Sequence, residues 1–144
     1  MACWGANDKG QATPPGGTFT QVSAGNNHTC GVRADGFVDC WGSKGHGRAT
    51  PPGGTFTQVS AGGFHTCGVH TDATVDCWGD TRDGRTTAPE GTFTQVSAGE
   101  DHTCGVRTDA AVVCWGNDEQ GQARSPRRGT FTQVSAGAEH TCGV

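Results

Sequence analysis

Eight cysteines are the residues of this sequence with the widest range of possible chemistry, and they recur at fixed spacing. Six of them form pairs ten positions apart, and the first member of each pair follows a His-Thr dipeptide. These pairs are Cys30 with Cys40, Cys67 with Cys77, and Cys104 with Cys114. Such residues could form disulfides, bind a metal together with the histidine, or act as nucleophiles. The choice depends on the elements that position them.

The sequence is an array of one repeated unit. The segment FTQVSAG begins at Phe19, Phe56, Phe93 and Phe131, and each copy leads into HTCGV. The spacing is 37 residues, with one extra residue before the last copy. A period this strict indicates one supersecondary unit stacked on itself, so residues 1–144 are treated as a single array of four units. Shared residues build the unit, and specificity lies where the copies differ.

Each unit has the pattern of short strands. Apolar and polar side chains nearly alternate in Phe19 to Gly25, which favours extended backbone. A turn about Asp35 places Cys30 opposite Cys40 on the same face of a hairpin. Opposed strand residues are close enough for a disulfide, and each such loop contributes about 2.5–3 kcal/mol in the chain-entropy model. The second and third turns contain Asp72-Ala73 and Asp109-Ala110, for which we expect a different geometry.

The remaining part of each unit is a connection rich in glycine and proline. Pro14-Pro15 and Pro51-Pro52 are incompatible with a central strand or a helix there. No stretch shows helical spacing, so the sequence predicts an all-β fold with three or four strands per unit. Four-stranded units repeated at this length are typical of β-propeller blades.

The motif FTQVSAGxxHTCGVxxDxxVxCWGxxxxGQ, carried by Phe19 to Gly47 and in part elsewhere, resembles the RCC1 repeat. More closely it is similar to the bacterial β-lactamase-inhibitor protein II type. The resemblance covers the whole chain and implies a propeller that usually has seven blades. This chain departs from that pattern by its four repeats and by its two cysteines in each.

The last two cysteines, Cys3 and Cys142, lie at opposite ends of the chain. Cys142 follows His140-Thr141 and Cys3 precedes Trp4, so together they reproduce the pair of one unit. We therefore predict a Velcro-type closure, in which the last blade is shared between the N- and C-terminal segments and closed by a disulfide. Two chains would give eight blades at about 45° each, near the seven-bladed value of about 51°, whereas one chain would need about 90°. A homodimer is thus favoured over a four-bladed monomer.

Metal binding and catalysis are weaker interpretations of the same residues. His28, Cys30 and Cys40 would supply three ligands where structural zinc takes four, and the corresponding histidine of the resembling family binds no metal. Ser23 recurs beside the histidines, but four equivalent copies favour architecture over one active site. We expect no catalytic residues, no metal and no cofactor.

Structural roles are predicted for the tryptophans, between neighbouring blades, and for the histidines. These residues are Trp4, Trp41, Trp78, Trp115, His28, His65, His102 and His140. A partner-binding role is predicted for the variable pair of residues before each histidine, because loops tolerate change and carry function. These residues are Asn26, Asn27, Gly63, Phe64, Glu100, Asp101, Ala138 and Glu139. In the resembling inhibitor this position contributes to an aromatic-rich enzyme-binding face, and Phe64 alone is aromatic here.

Composition limits the class of protein. Only 32% of the residues are hydrophobic, 25 are glycine, and the net charge is −4. This balance excludes the basic surface of a nucleic-acid-binding protein, and no apolar run is long enough to insert in a membrane. Paired cysteines indicate an extracellular or periplasmic protein, although no export signal is visible in this chain.

The sequence therefore predicts a non-enzymatic, disulfide-stabilised propeller that binds a protein partner or itself through loops on one face. One alternative is a multivalent lectin for glycans or small ligands. Another is an engineered or excised repeat fragment with no evolved ligand.

Overall fold

The computed structural model describes residues 1–144, and its regular elements are almost all strands. The strands are β1 (Phe19–Ala24), β2 (His28–Arg33), β3 (Val38–Gly42), β4 (Phe56–Ala61), β5 (His65–His70), β6 (Val75–Gly79), β7 (Phe93–Ala98), β8 (His102–Arg107), β9 (Val112–Gly116), β10 (Val134–Ala136) and β11 (Thr141–Gly143). Two short 3₁₀ turns cover Gly45–Gly47 and Arg82–Gly84. The structure contains no helix with the length and hydropathy needed to cross a membrane.

The strands form one antiparallel sheet per repeat, in the order of the chain. Three sheets have three strands each, β1-β2-β3, β4-β5-β6 and β7-β8-β9, and the last has only β10-β11. The all-β prediction is confirmed, with three strands per complete repeat. The predicted fourth blade is only partial in the single chain, since the structure has three complete blades and a two-stranded fourth.

The hairpin register is the one predicted from the sequence. Cys30 lies opposite Cys40, and Val32 opposite Val38. The Cα atoms of the three cysteine pairs are 4.1, 4.1 and 4.0 Å apart, and all three disulfides are formed. The disulfides Cys30–Cys40, Cys67–Cys77 and Cys104–Cys114 are therefore confirmed.

The prediction that the second and third turns differ from the first is wrong. Gly36, Ala73 and Ala110 all adopt the left-handed conformation, with φ of 87°, 70° and 68°. An alanine there costs roughly 1–2 kcal/mol. The aspartate before this position stabilises all three turns, because its carboxylate accepts a backbone hydrogen bond, from Phe37 at 3.2 Å and from Thr74 and Ala111 at 3.0 Å.

The apolar core is divided among three interfaces between consecutive sheets. The first interface packs Cys30, Val32 and Val38 of one sheet against Phe56, Val59 and Trp78 of the next. The second interface packs Cys67 and Val69 against Phe93, Val96 and Trp115, and the third packs Cys104, Val106 and Val112 against Val134. Each interface thus buries apolar side chains that a single repeat would leave exposed.

The two ends of the array remain open in the single chain. Cys3 and Cys142 are both free, so the predicted disulfide between them does not form within one chain. Residues 1–18 form no strand, and the last blade is not shared between the two termini of the same chain. Two of the predicted structural residues also differ from their counterparts, since Trp4 is 87% exposed and His140 is exposed.

Candidate functional site

Most residues shared by the repeats are used to hold neighbouring sheets together. At the first interface the Gln21 side chain donates to the Val59 carbonyl and accepts from the Val59 amide, both at 2.9 Å. The Ala61 amide donates to Ser23 Oγ at 3.0 Å. The same bonds recur between Gln58 and Val96, Ser60 and Ala98, Gln95 and Val134, and Ser97 and Ala136.

The histidines make the fourth bond of each interface. His28 Nε2 lies 2.7 Å from Thr66 Oγ1, and the Thr66 hydroxyl donates to the Arg48 carbonyl at 3.0 Å. The hydroxyl must then accept from the imidazole, so His28 carries its proton on Nε2. His65 and Thr103, and His102 and Thr141, repeat the contact. These side chains therefore bond across to the next sheet.

Burial keeps the interface histidines neutral. Burial, assisted by the Arg48 charge, lowers the pKa of His28 to about 4. Burial lowers the pKa of His65 to about 3, with a smaller contribution from Arg85. Burial also lowers the pKa of His102. A neutral imidazole suits a fixed hydrogen bond in a dry interface.

The first strands of consecutive sheets approach each other at their C-terminal ends, where the sequence reads Ala-Gly. A Cβ added to Gly25 would overlap the carbonyl oxygen of Gly62, and one added to Gly62 would overlap that of Gly99. The amide of Asn26 donates to Gly62 at 3.3 Å, and that of Gly63 to Gly99 at 3.1 Å. Glycine is therefore required for this packing.

This close approach brings all four repeats to one cavity of about 260 Å³. Its lining consists of the segments 24–26, 61–63, 98–100 and 136–138. Four predicted partner-binding residues, Asn26, Gly63, Glu100 and Ala138, thus lie together around it. We call these four residues the rim. They differ in every repeat, whereas the interface residues behind them are the same.

The other four predicted partner-binding residues, Asn27, Phe64, Asp101 and Glu139, do not line the cavity. Two of them are held by buried arginines. The Arg48 guanidinium lies 4.7 Å from the centre of the Phe64 ring, and Arg85 forms an ion pair with Asp101. Both arginines are buried, with exposed fractions of 5% and 2%. Phe64 and Asp101 therefore have structural contacts that compete with any partner.

These arginines, and the buried Asp80, were missed by sequence reasoning. Asp80 is 5% exposed, and the hydrogen bond from Arg82 holds its pKa well below the usual range. One signal was available, because Arg48 and Arg85 stand where the first and last repeats have Gln11 and Gln122. A position that is occupied only by glutamine or arginine in all four repeats indicates a structural role for a side chain that donates hydrogen bonds.

The arrangement contains no assembled catalytic or metal group. Ser23 Oγ and His28 Nε2 bond to different residues of the next repeat, Ala61 and Thr66. No cluster of three or more His, Cys, Asp or Glu side chains has the geometry of a metal site. What the site offers is a shallow polar cavity with a variable border.

Comparison with known families identifies the repeat. The family described as the Regulator of chromosome condensation (RCC1) repeat matches residues 19–48, 56–85 and 93–122. No curated protein sequence matches the chain.

Solved structures share the fold over most of the chain. The ectodomain of the receptor kinase CR4 from Physcomitrella patens is 31% identical, with a TM-score of 0.82 over 97% of this chain and 42% of that one. The CRINKLY WD40 ectodomain of the receptor kinase ACR4 from Arabidopsis thaliana is 30% identical, with a TM-score of 0.73 over 88% of this chain and 45% of that one.

Prp20p from Saccharomyces cerevisiae, whose structure was described with its binding to Gsp1p and histones, has a TM-score of 0.84 over 97% of this chain and 50% of its own. Its identity is 13%, so it supports the fold alone. The chain thus spans half or less of the length of each of these three relatives.

Proposed function

Because the chain belongs to the RCC1 repeat family, we propose that it is a non-enzymatic protein-binding module that works outside the cytoplasm and is completed to a ring by a second copy. One observation carries the proposal. The four repeats share their interface residues but differ in the rim residues Asn26, Gly63, Glu100 and Ala138, which border one cavity. Variation at the border of a cavity in a rigid scaffold is typical of a recognition surface.

The chemistry of the rim indicates the kind of partner. Glu100 borders the cavity, and the exposed Glu139 lies next to Ala138. Asp101 is paired with Arg85 and adds little net charge. The border is therefore polar and acidic, and it fits a basic or hydrogen-bonding segment of a protein. Prp20p shows that a protein of this fold can bind other proteins, since its structure is described with its binding to Gsp1p and histones.

An extracellular location is supported by two findings. Three disulfides form within the chain, and disulfides persist in oxidising compartments. Two structural relatives at 30% and 31% identity are receptor ectodomains.

The lectin alternative is less well supported. Such a protein would present the same polar and aromatic set in each repeat, whereas the rim differs in all four. The aromatic Phe64 is packed against Arg48, which also argues against the enzyme-binding face that the resemblance to the inhibitor type implies.

The test uses two double variants with the same change in charge. Asn26→Arg/Glu100→Arg alters the rim, and Ala34→Arg/Glu90→Arg alters residues near the opposite ends of the strands. Extracellular proteins retained by the immobilised parent are identified by mass spectrometry, and their affinities for the three chains are measured. We expect the rim variant to lose at least about tenfold in affinity, since like or misplaced charge at an interface costs several kcal/mol, and the control to change less than twofold. Equal binding by both variants, or retention of glycans in place of proteins, would overturn the proposal.

A further inference from the structure

The two open ends of the array are the two halves of one inter-sheet interface. We call the exposed face of the first sheet that carries Val22, Ala24 and Thr29 the leading face. The exposed face of the last sheet that carries Gln133, Ser135 and Cys142 is the trailing face. Val22 on the leading face is 46% exposed, whereas its counterparts Val59, Val96 and Val134 are 1–2% exposed. On the trailing face Val144 is 75% exposed, whereas Val32, Val69 and Val106 are 1–2% exposed. At the interior interfaces, the equivalents of Val144 pack in the same apolar cluster as the equivalents of Val22. At the two ends of the array this packing is absent.

The hydrogen-bonding groups of the two faces are complementary as well. Gln133, Ser135 and His140 on the trailing face are exposed and have no bonds to a following sheet. Their counterparts bond to a backbone valine, a backbone alanine and a threonine hydroxyl. The leading face presents the same three groups on Val22, Ala24 and Thr29. Thr29 Oγ1 already donates to the Gln11 carbonyl at 2.9 Å, as Thr66 does to Arg48, so it is oriented to accept.

The trailing sheet also lacks its third strand, and the N-terminal segment has the sequence of that strand. In the first sheet Thr29 pairs with Trp41 and Cys30 with Cys40. The same register would pair Thr141 with Trp4 and Cys142 with Cys3. Residues 1–5 form no strand in the single chain, and Trp4 is 87% exposed where Trp41, Trp78 and Trp115 are 7–9% exposed.

The N-terminal segment already stands off from the leading face. A cavity of about 350 Å³ separates Cys3 and Trp4 from Val22, Ala24 and Thr29. At the interior interfaces the corresponding space is filled by the preceding sheet. A matching cavity of about 150 Å³ lies against Gln133, Ser135 and Cys142 on the trailing face.

From this complementarity, and resting on the proposed ring, we propose that the trailing sheet of one copy inserts between the N-terminal segment and the leading face of a second copy. Residues 1–5 of each copy then supply the third strand of the other copy's last sheet. The two junctions are related by a two-fold axis, so both faces of both copies are covered. The ring has eight sheets, and each junction repeats the contacts of an interior interface.

Each junction is closed by a disulfide between Cys3 of one copy and Cys142 of the other. The two thiols lose two protons and two electrons, and a disulfide oxidant such as oxidised glutathione accepts them and leaves as two reduced thiols. The S–S bond joins two strands in the register of the three disulfides already present. The ring is therefore locked in the oxidising compartment proposed for this protein.

The test is a mixing experiment with single cysteine variants, refolded with oxidised and reduced glutathione. Of the two terminal cysteines, Cys3→Ser retains only Cys142, and Cys142→Ser retains only Cys3. Neither variant alone can form the proposed bond, because both junctions of its dimer lack the same partner. A mixture of the two can form one bond per dimer. We expect a covalent dimer from the parent and from the mixture, at twice the chain mass of 14.8 kDa, and none from either variant alone. Peptide mapping should find Cys3 joined to Cys142.

A covalent dimer from one variant alone would show indiscriminate thiol coupling and overturn the proposal. A monomer with an internal Cys3–Cys142 bond, or oligomers that grow without limit with concentration, would do the same.

Non-covalent assembly is tested separately in the double variant Cys3→Ser/Cys142→Ser by light scattering. We expect a dimer, and adding Val22→Asp should raise its dissociation constant at least about 100-fold, because a carboxylate would be buried without a partner. A parent that dimerises with both thiols open to alkylation would overturn the disulfide but leave the ring. A monomer at every concentration would overturn the ring itself. Neither result affects rim binding, which is measured with the rim variant.

Discussion

The interior interfaces and the two end faces are made of the same residue types, yet they are in opposite states. Inside the array His28, His65 and His102 are fully buried and bonded to a threonine, whereas His140 is exposed. The three interior histidines are covered by the next sheet, whereas no sheet follows His140. A residue's burial in this protein is therefore set by its position in the array, and the same substitution should have unequal effects inside and at the ends.

The largest difference is expected for glycine at the close approach of the first strands. Gly62→Ala should destabilise the chain by about 3 kcal/mol, because its Cβ would overlap the Gly99 carbonyl oxygen and push two sheets apart. For Gly137→Ala at the trailing face, the three nearest atoms belong to the exposed His140 ring, which can move aside more easily than a backbone carbonyl. Urea unfolding of the monomer, followed by tryptophan fluorescence, compares the two.

Gly53→Ala serves as the control for that test, since nothing lies near the added atom. Equal losses for Gly62→Ala and Gly137→Ala would contradict the role of the close approach.

The next largest difference concerns the cysteines. Replacing Cys67 and Cys77 by serine opens a disulfide in the second repeat and should cost about 2.5–3 kcal/mol in the chain-entropy model. The pair Cys3→Ser/Cys142→Ser removes free thiols and should leave the unfolding of the monomer unchanged. Unfolding midpoints of dilute samples, with and without reductant, make the comparison. A large loss from the terminal pair in the monomer would be inconsistent with open ends.

The histidines should make stability depend on pH. The pKa of His65 in the folded chain is about 3, below the ordinary value of 6.5, so the unfolded chain takes up the proton first as the pH falls. Stability is then complete above about pH 6.5 and declines towards pH 3. His65→Gln should reduce the loss between pH 7 and pH 5 by about 2 kcal/mol.

The comparison variant is His140→Gln, which makes the same substitution at an exposed histidine without a bond to a following sheet. Thermal unfolding at several pH values provides the measurement. Parallel pH profiles for the parent and His65→Gln would show that another group is responsible.

The smallest difference is expected for the threonines. Thr66→Val removes a hydroxyl that accepts from His28 and donates to Arg48, and should cost about 1–3 kcal/mol because buried polar groups lose their partner. Thr29→Val removes only the bond to Gln11 and should cost less in the monomer. In the dimer the two losses should become equal. A Thr29→Val effect that stays constant across the monomer–dimer transition would argue against its proposed bond to His140.

Local pattern was enough to predict the hairpin register, and with it the three disulfides. Cys30 and Cys40 are equidistant from the turn at Asp35, and that relation depends only on strand geometry. The buried arginines could not be predicted in this way. The position of Arg48 depends on the backbone of Gly63 and the ring of Phe64, which belong to a neighbouring repeat.

The predicted partner-binding residues fall into two groups, because their positions also depend on contacts with a neighbouring repeat. Asn26, Gly63, Glu100 and Ala138 face the cavity because the close approach of the glycines places them there, whereas Phe64 and Asp101 turn towards the arginines. The sequence pattern marks both members of each pair as variable. The pattern does not show which member of a pair lines the cavity. That depends on the connection that carries Arg48 or Arg85, which packs against the other member.

The identity of the interfaces has a consequence for how such chains change over generations. The bonds made by the shared glutamine, serine, histidine and threonine do not depend on which repeat follows, so duplication or loss of one unit leaves this set of bonds in place at every remaining interface. Only the total rotation from the first sheet of the array to the last changes. A lineage of these proteins can therefore explore new ring sizes and new subunit numbers by copying whole units, with the rim free to diverge afterwards.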